Sequence, residues 1–173
     1  MQGSVFAGTS LDGFIARSDG GLDFLSPSGD ESYGFEEFMA SVDALVMGRK
    51  TYDIVLALGD WPYGEKPVFV LSSANIKAPP KGAVVERMYG NPKDIAPEIA
   101  ARGIERIYVD GAATIQQFLR AGLIQRLIIT RVPVLVGAGI PLFGELEQDI
   151  ALRHVATRQF ASGLVQSQYE VAG

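Results

Sequence analysis

The strongest constraint in this sequence is a junction that recurs along it. A short run of apolar, β-type residues ends in a glycine, an aspartate or two serines, and a turn or a run with helical spacing begins at once. Residues 44–47 lead into Gly48-Arg49-Lys50-Thr51, residues 67–71 into Ser72-Ser73, and residues 106–110, ending in Asp110, into Gly111-Ala112-Ala113-Thr114. Chains that alternate strand and helix in this way layer helices on a sheet. If the strands are parallel, all three junctions open on one sheet edge, outside the carboxyl ends of the strands, where open α/β sheets bind ligands.

The rest of the chain fits that plan. Residues 4–10 read as a buried strand turned by Leu11-Asp12-Gly13, and residues 14–16 continue it. A Gly- and Asp-rich loop then runs through Gly34, and its length makes residues 19–34 a candidate lid. Phe35, Phe38, Met39 and Val42 have helical spacing over residues 35–42, and residues 49–58 form a second helix stopped by Gly59. Residues 83–87 read as a strand. A helix begun at Pro92 would lose an interior hydrogen bond at Pro97, so the expected N-cap is Asp94, with Pro97 in the first turn. Residues 113–121 form the fourth helix, stopped by Gly122. Residues 127–136 read as a long strand in which Pro133 implies an edge position or a bulge. After a glycine-rich loop at 137–143, residues 151–160 and 164–171 make a hairpin around Ser162-Gly163. So short a turn forces an antiparallel pair. The expected fold is therefore α/β with a mixed, mostly parallel central sheet and a C-terminal antiparallel β-hairpin.

At 173 residues the chain is sized for one domain, 1–173, around one core. Apolar residues at 47% against 20% charged exclude a disordered chain. A net charge of −5, with no basic run or basic helix face, argues against nucleic-acid and membrane partners, because both need clustered Lys and Arg. With no cysteine, disulfides, thiol nucleophiles and Cys-held zinc are excluded. His154, the only histidine, reads as a lone side chain on a strand face, so no metal site is expected. A first strand close to Met1, without a preceding signal pattern or any spanning apolar run, leads to the expectation of a cytosolic, cytoplasmic protein.

Each junction carries its own chemistry beside an ordinary structural role. A helix start at Arg49 presents free N–H groups, the positive end of the helix dipole and two cations, a set suited to an anion; it also suits two solvated cations. At Gly111, small side chains let a ligand approach the backbone, and Asp110 either faces the same crevice or caps the next helix. The hydroxyls after Leu71 can bond a phosphate or open a turn.

These motifs join Ser10-Leu11-Asp12-Gly13-Phe14-Ile15-Ala16, Gly20-Gly21-Leu22-Asp23-Phe24, Val46-Met47-Gly48-Arg49-Lys50-Thr51-Tyr52 and Gly137-Ala138-Gly139-Ile140-Pro141-Leu142-Phe143. In order and spacing, nearly the whole chain resembles the dihydrofolate-reductase-like superfamily. It is most similar to the riboflavin-biosynthesis pyrimidine reductase C-terminal domain and its stand-alone bacterial relatives. The resemblance implies a three-layer fold and an NADPH-dependent reductase that transfers hydride to a small-molecule, pterin- or aminopyrimidine-like heterocycle. It implies that Gly8 lies beside the nicotinamide carboxamide and that Phe24 takes the place of an aromatic in the mobile loop above it. Gly48, Arg49, Lys50 and Thr51 would hold phosphates, with Arg49 near the 2′-phosphate. Ser72 and Ser73, after Leu71, would flank the adenosine ribose phosphate, and Gly111, Ala112, Ala113 and Thr114 would wrap the pyrophosphate. Asp110 stands where pyrimidine reductases place an acid against substrate, which makes it the candidate substrate contact and, alongside water, the candidate proton donor. Phe38 stands where those enzymes carry an arginine for the ribose phosphate of their substrate. The relatives are commonly dimers, and the apolar final strands leave room for a homodimer. The alternative is a non-catalytic nucleotide-binding module that keeps the fold.

Overall fold

Strands that are apolar at every position expose two hydrophobic faces, and both must be covered. The computed structural model describes residues 1–25 and 32–173. In chain order its elements are β1 (Gln2–Ser10), β2 (Phe14–Ala16), a single 3-10 turn at Asp23–Leu25, α1 (Phe35–Ala40), β3 (Ala44–Gly48), α2 (Arg49–Ala57), β4 (Val68–Leu71) and β5 (Val85–Met88). They continue with α3 (Pro92–Ala100), β6 (Arg106–Asp110), α4 (Ala112–Arg120), β7 (Arg126–Val132), β8 (Ile140–Pro141), β9 (Leu152–Gln159) and β10 (Val165–Val171).

The two-residue period of the strands sorts their side chains. In β3, Ala44 and Val46 enter one core while Leu45 and Met47 enter the other. α3 and α4 close the first core through Ile95, Ile99, Ile115 and Phe118. α1 and α2 close the second through Phe38, Tyr52 and Val55. The molecule is thus the expected three-layer α/β fold.

The main sheet has eight strands in the order β5-β4-β3-β6-β1-β7-β10-β9. From β5 to β7 every neighbour is parallel; β10 runs antiparallel to β7, and β9 antiparallel to β10. The closing hairpin is therefore as expected. Asp43 fixes the opposite, amino-terminal edge. Its carboxylate accepts the backbone N–H groups of Glu105 and Arg106 at 3.1 and 2.8 Å and the Arg106 guanidinium at 2.9 Å, pinning the starts of β3 and β6 together.

Three expectations need correction. The third helix is capped by Asn91, with Pro92 at its first position and Pro97 inside it, instead of starting at Asp94. The lost bond is tolerated because Pro97 and Lys93, whose carbonyl is left free, both face solvent while Ile95, Ala96 and Ile99 are buried on the other side. The strand expected to run through Pro133 ends at Val132 and lies inside the sheet between β1 and β10, so Pro133 marks neither an edge nor a bulge but the end of the ladder. The glycine-rich loop contains β8, which pairs with β2 in a second, two-stranded sheet. Asp12 ties that loop to the turn after β1 by accepting the N–H groups of Val136 and Gly137 at 3.1 and 2.8 Å. Of the candidate lid at 19–34, residues 26–31 lie outside the described residues.

Candidate active site

Because β4, β3, β6 and β1 are parallel neighbours, their exits share one edge. Gly48 is in register with Leu71, and Met47 with Asp110. Gly8 is paired with Thr130 on the far side of β1. The exits of β4 and β1 are three strand spacings apart, roughly 14 Å at the usual inter-strand distance. The expected residues Gly8, Gly48–Thr51, Leu71–Ser73 and Asp110–Thr114 are therefore brought together along one rim. β5 ends on the same rim, with Leu71 opposite Met88, and adds Tyr89, which is largely exposed. Arg87 of β5 donates to the Ser72 carbonyl at 3.0 Å, bringing a third cation close to this turn. The sequence reading did not single out Tyr89 or Arg87.

Two of the exits interlock. Gly111 has φ +91°, and a Cβ there would sit 2.5 Å from Thr51 Oγ1. A Cβ on Gly48 would sit 3.1 Å from Thr114 Oγ1. Each glycine thus faces the threonine of the neighbouring helix, and α2 and α4 start side by side. Neither helix start has a side-chain cap, so the N–H groups of both first turns lack side-chain acceptors. Arg49 and Lys50 are exposed and form no ion pair among the described residues. Uncapped donors beside unpaired cations fit a bound phosphate group.

Asp110 faces a different environment from these cations. Only part of its surface reaches solvent, and burial pushes its carboxyl up to about 6. The Gly111 N–H, 2.8 Å from Oδ1, works in the other direction, favouring the carboxylate. Asp110 therefore bonds its own neighbour, and α4 takes Gly111 as N-cap without a side-chain bond. Two phenols accompany it. Tyr108, two residues earlier on the same face of β6, donates to the Phe6 carbonyl at 3.2 Å. Tyr63 is buried nearby, and both tyrosines are held protonated by burial reinforced by the charge of Asp110. The i, i+2 spacing of Tyr108 and Asp110 could have revealed the first phenol; nothing local marks Tyr63.

The family model described as the RibD C-terminal domain matches residues 3–166. The chain belongs to the RibD C-terminal domain family. YwjB of Bacillus subtilis (strain 168), an uncharacterized protein, is 31% identical over 168 residues, covering 95% of each chain. A solved structure from Shewanella sp. PV-4, described as a "putative riboflavin biosynthesis protein", superposes with a TM-score of 0.92 at 41% identity over the whole of both chains. Dihydrofolate reductase from Enterococcus faecalis, complexed with NADP(H) and RAB-propyl, shares the fold with a TM-score of 0.66 at 16% identity, covering 99% of this chain and 97% of that one. The family match and these structures together show a reductase-type fold, shared with dihydrofolate reductase.

Within this RibD-type domain the remaining expected residues fall as follows. Phe24 lies in the 3-10 turn, half-buried, with the Arg17 guanidinium 5.5 Å from its ring. Its neighbour Leu25 is the residue that reaches β1, 3.3 Å from where a Cβ on Gly8 would be. Phe38 is buried against Phe6 and Tyr108, with ring centroids 4.9 and 5.0 Å away. Ser72 uses its hydroxyl locally, donating to the Ala74 carbonyl at 2.7 Å and accepting the Ala74 N–H at 3.1 Å, which is the turn-forming role. Ser73 is exposed on the same turn. His154 is an exposed side chain of β9, bonded to Thr157 Oγ1 at 2.6 Å. Among the described residues no cluster of His, Asp and Glu suits a metal ion, and no helix is long and apolar enough to cross a membrane.

Proposed function

We propose that the protein is an NADPH-dependent reductase of a pterin- or aminopyrimidine-like heterocycle. One observation carries the reading: three strand exits rich in donors and cations open on the rim where a carboxyl poised near neutrality also stands. Arg49, Lys50 and Thr51 would hold the cofactor phosphates, with Arg49 nearest the 2′-phosphate. The first-turn N–H groups of α4, from Ala112 to Thr114, would take the pyrophosphate where the bare Gly111 lets it approach, and Ser73 beside Ser72 the adenosine end. Gly8 would meet the nicotinamide through its backbone, under Leu25 and Phe24. Bound there, NADPH supplies the hydride.

The chain's own residues then orient the ring and manage the proton. Asp110, protonated below about pH 6, can donate to the substrate ring from its half-buried position. Tyr108 and Tyr63, kept neutral, limit water access on that side and leave Asp110 as the group that titrates. We place the protein in the cytoplasm and as a homodimer, the latter because the hairpin strand β9 lies at the sheet edge with all eight residues exposed.

Titrating the protein with NADPH and NADH, followed by nicotinamide fluorescence and quenching of Trp61, tests the cofactor assignment. Micromolar binding of NADPH with weaker NADH binding is expected, and Arg49→Ala should narrow the difference about tenfold, the loss of one charge-assisted contact. NADPH oxidation with a panel of dihydropterins and phosphoribosylaminouracils then tests turnover. Binding without oxidation of any of them would mean a non-catalytic nucleotide-binding module; no binding at millimolar NADPH would end the reductase reading.

A further inference from the structure

A tyrosine buried in a core spends its hydroxyl on a neighbour, because an unpaired donor carries a cost that phenylalanine avoids. Three tyrosines are buried in the second core, and they differ on this point. Tyr52 donates to the Lys77 carbonyl at 3.0 Å, and Tyr108 to the Phe6 carbonyl at 3.2 Å. Tyr63 is only 8% exposed, yet among the described residues its hydroxyl has no hydrogen-bond partner. Nor is that hydroxyl sealed in. The partnerless side-chain polar atoms shut off from solvent are, among the described residues, Asp53 Oδ1 and Arg126 Nε. Tyr63 therefore buries its ring and leaves the tip open.

The ring is held firmly. Tyr63 lies between α2 and β4, in a turn closed by Trp61 Nε1, which donates to the Gly64 carbonyl at 3.2 Å. The Trp61 indole stands edge-on to two phenols, its centroid 5.1 Å from that of Tyr63 and 6.2 Å from that of Tyr52. Tyr52 is fully buried on α2, so this aromatic row ties Tyr63 to the helix that starts at Gly48. On its other side Tyr63 belongs to the same packed cluster as Tyr108 and Phe38. Asp110 stands two residues beyond Tyr108 on the same face of β6, the face that α1 and α2 cover. Burial, and after it the charge of Asp110, keeps the Tyr63 phenol protonated, so its hydroxyl is a donor at every working pH.

A fixed donor with a buried ring and an open tip calls for an acceptor from outside the chain. The polar group nearest in chemistry is Asp110, where the substrate ring is placed. An exocyclic ring oxygen stands proud of a heterocycle and carries two lone pairs, so it reaches a phenol from which a ring nitrogen stays recessed. We propose that Tyr63 is a substrate-binding and specificity-determining residue: its hydroxyl donates to a ring carbonyl of the heterocycle held at Asp110, and the site selects oxo-substituted rings. A ring without that oxygen would cover the hydroxyl and leave it unpaired, the means by which a site built around a polar group rejects the analogue lacking it. The place of the substrate rests on the reductase reading; the selectivity is read from binding alone.

The vicinal diaminouracil, with two ring carbonyls, and the vicinal diaminopyrimidine, with none, are the probes. Each is titrated into the full-length protein and its Tyr63→Phe and Tyr52→Phe variants, with and without NADPH, and followed by calorimetry and Trp61 fluorescence. The wild type should bind the diaminouracil at least tenfold more tightly. Tyr63→Phe keeps the ring against Trp61 and should erase that preference by weakening the diaminouracil alone. Tyr52→Phe, which loses a hydroxyl already spent on the Lys77 carbonyl, should retain it. Should Tyr63→Phe fold poorly, fluorotyrosine in place of Tyr63 gives the same reading: its fluorine resonance should move with the diaminouracil and not with the diaminopyrimidine. Equal affinity for the two probes, binding of neither up to their solubility, or a preference that survives Tyr63→Phe overturns the proposal. NADPH affinity lowered by Tyr63→Phe would give the hydroxyl to the cofactor and overturn it as well. A protein that selects the diaminouracil but never binds NADPH would sink the reductase reading and leave the role of Tyr63 standing.

Discussion

At the scale of single residues, the interlock of Gly111 with Thr51 makes the sharpest prediction. Gly111→Ala places a Cβ 2.5 Å from Thr51 Oγ1 at a φ of +91°, and should cost ~3 kcal/mol by combining a steric clash with left-handed strain. Adding Thr51→Ala removes the clash and not the strain, so chemical denaturation of the double variant should recover part of the loss. Asp110 makes the second. Its native value of about 6 exceeds the ordinary 3.8, so between those values the folded chain binds more protons than the unfolded one. Its stabilising effect is present below pH 3.8 and is lost as pH rises through 6. Relative to Asp110→Asn, the wild type should therefore lose up to ~3 kcal/mol between pH 3.8 and 7, measured by urea unfolding across that range. If Asp110 is the proton donor, kcat should fall above pH 6, and Asp110→Asn should abolish that fall. The position of Asp110 was legible because a strand pattern ends there. Its raised proton affinity was not, because it depends on burial by Tyr63 and Tyr108, one of which comes from a distant loop.

At the scale of elements, parallel strands are held in register at both ends by different means. At the amino-terminal edge Asp43 does this, and the Arg106 guanidinium with two backbone N–H groups keeps its carboxyl below the ordinary range. A depressed value contributes stability above pH 3.8 that is lost as pH falls through the native value. Asp43→Ala should cost about 2 kcal/mol at pH 7, with the difference from wild type closing as the pH drops toward 3 in acid-titrated thermal melts. Element type was readable almost throughout, since apolar period and the glycine stops after α2 and α4 are local signals. The cap of α3 was misplaced because the cost of Pro97 depends on which side of the helix faces water. β8 escaped notice because two residues pair only once β2 is beside them.

At the scale of the whole molecule, the sheet is closed on neither side. β9 lies at one edge with Leu152 and Val155 exposed, and a long unprotected edge is an invitation to pair. Sedimentation velocity should show twice the chain mass at micromolar concentration, and Val155→Lys should shift the population to the monomer. A wild-type monomer at a hundred times that concentration would rule out the homodimer.

Apolar period, glycine and proline positions and the strand-exit motifs determined by themselves that this chain makes a mixed α/β sheet whose strand exits carry glycines, hydroxyls and cations. Those properties belong to neighbours in sequence, where propensity and turn geometry act. Strand order was decided only in three dimensions, and with it the meeting of Gly48, Gly111 and Ser72 on one rim and the phenols around Asp110. These depend on contacts between residues far apart in the chain, whose energies come from burial and charge that no local pattern encodes.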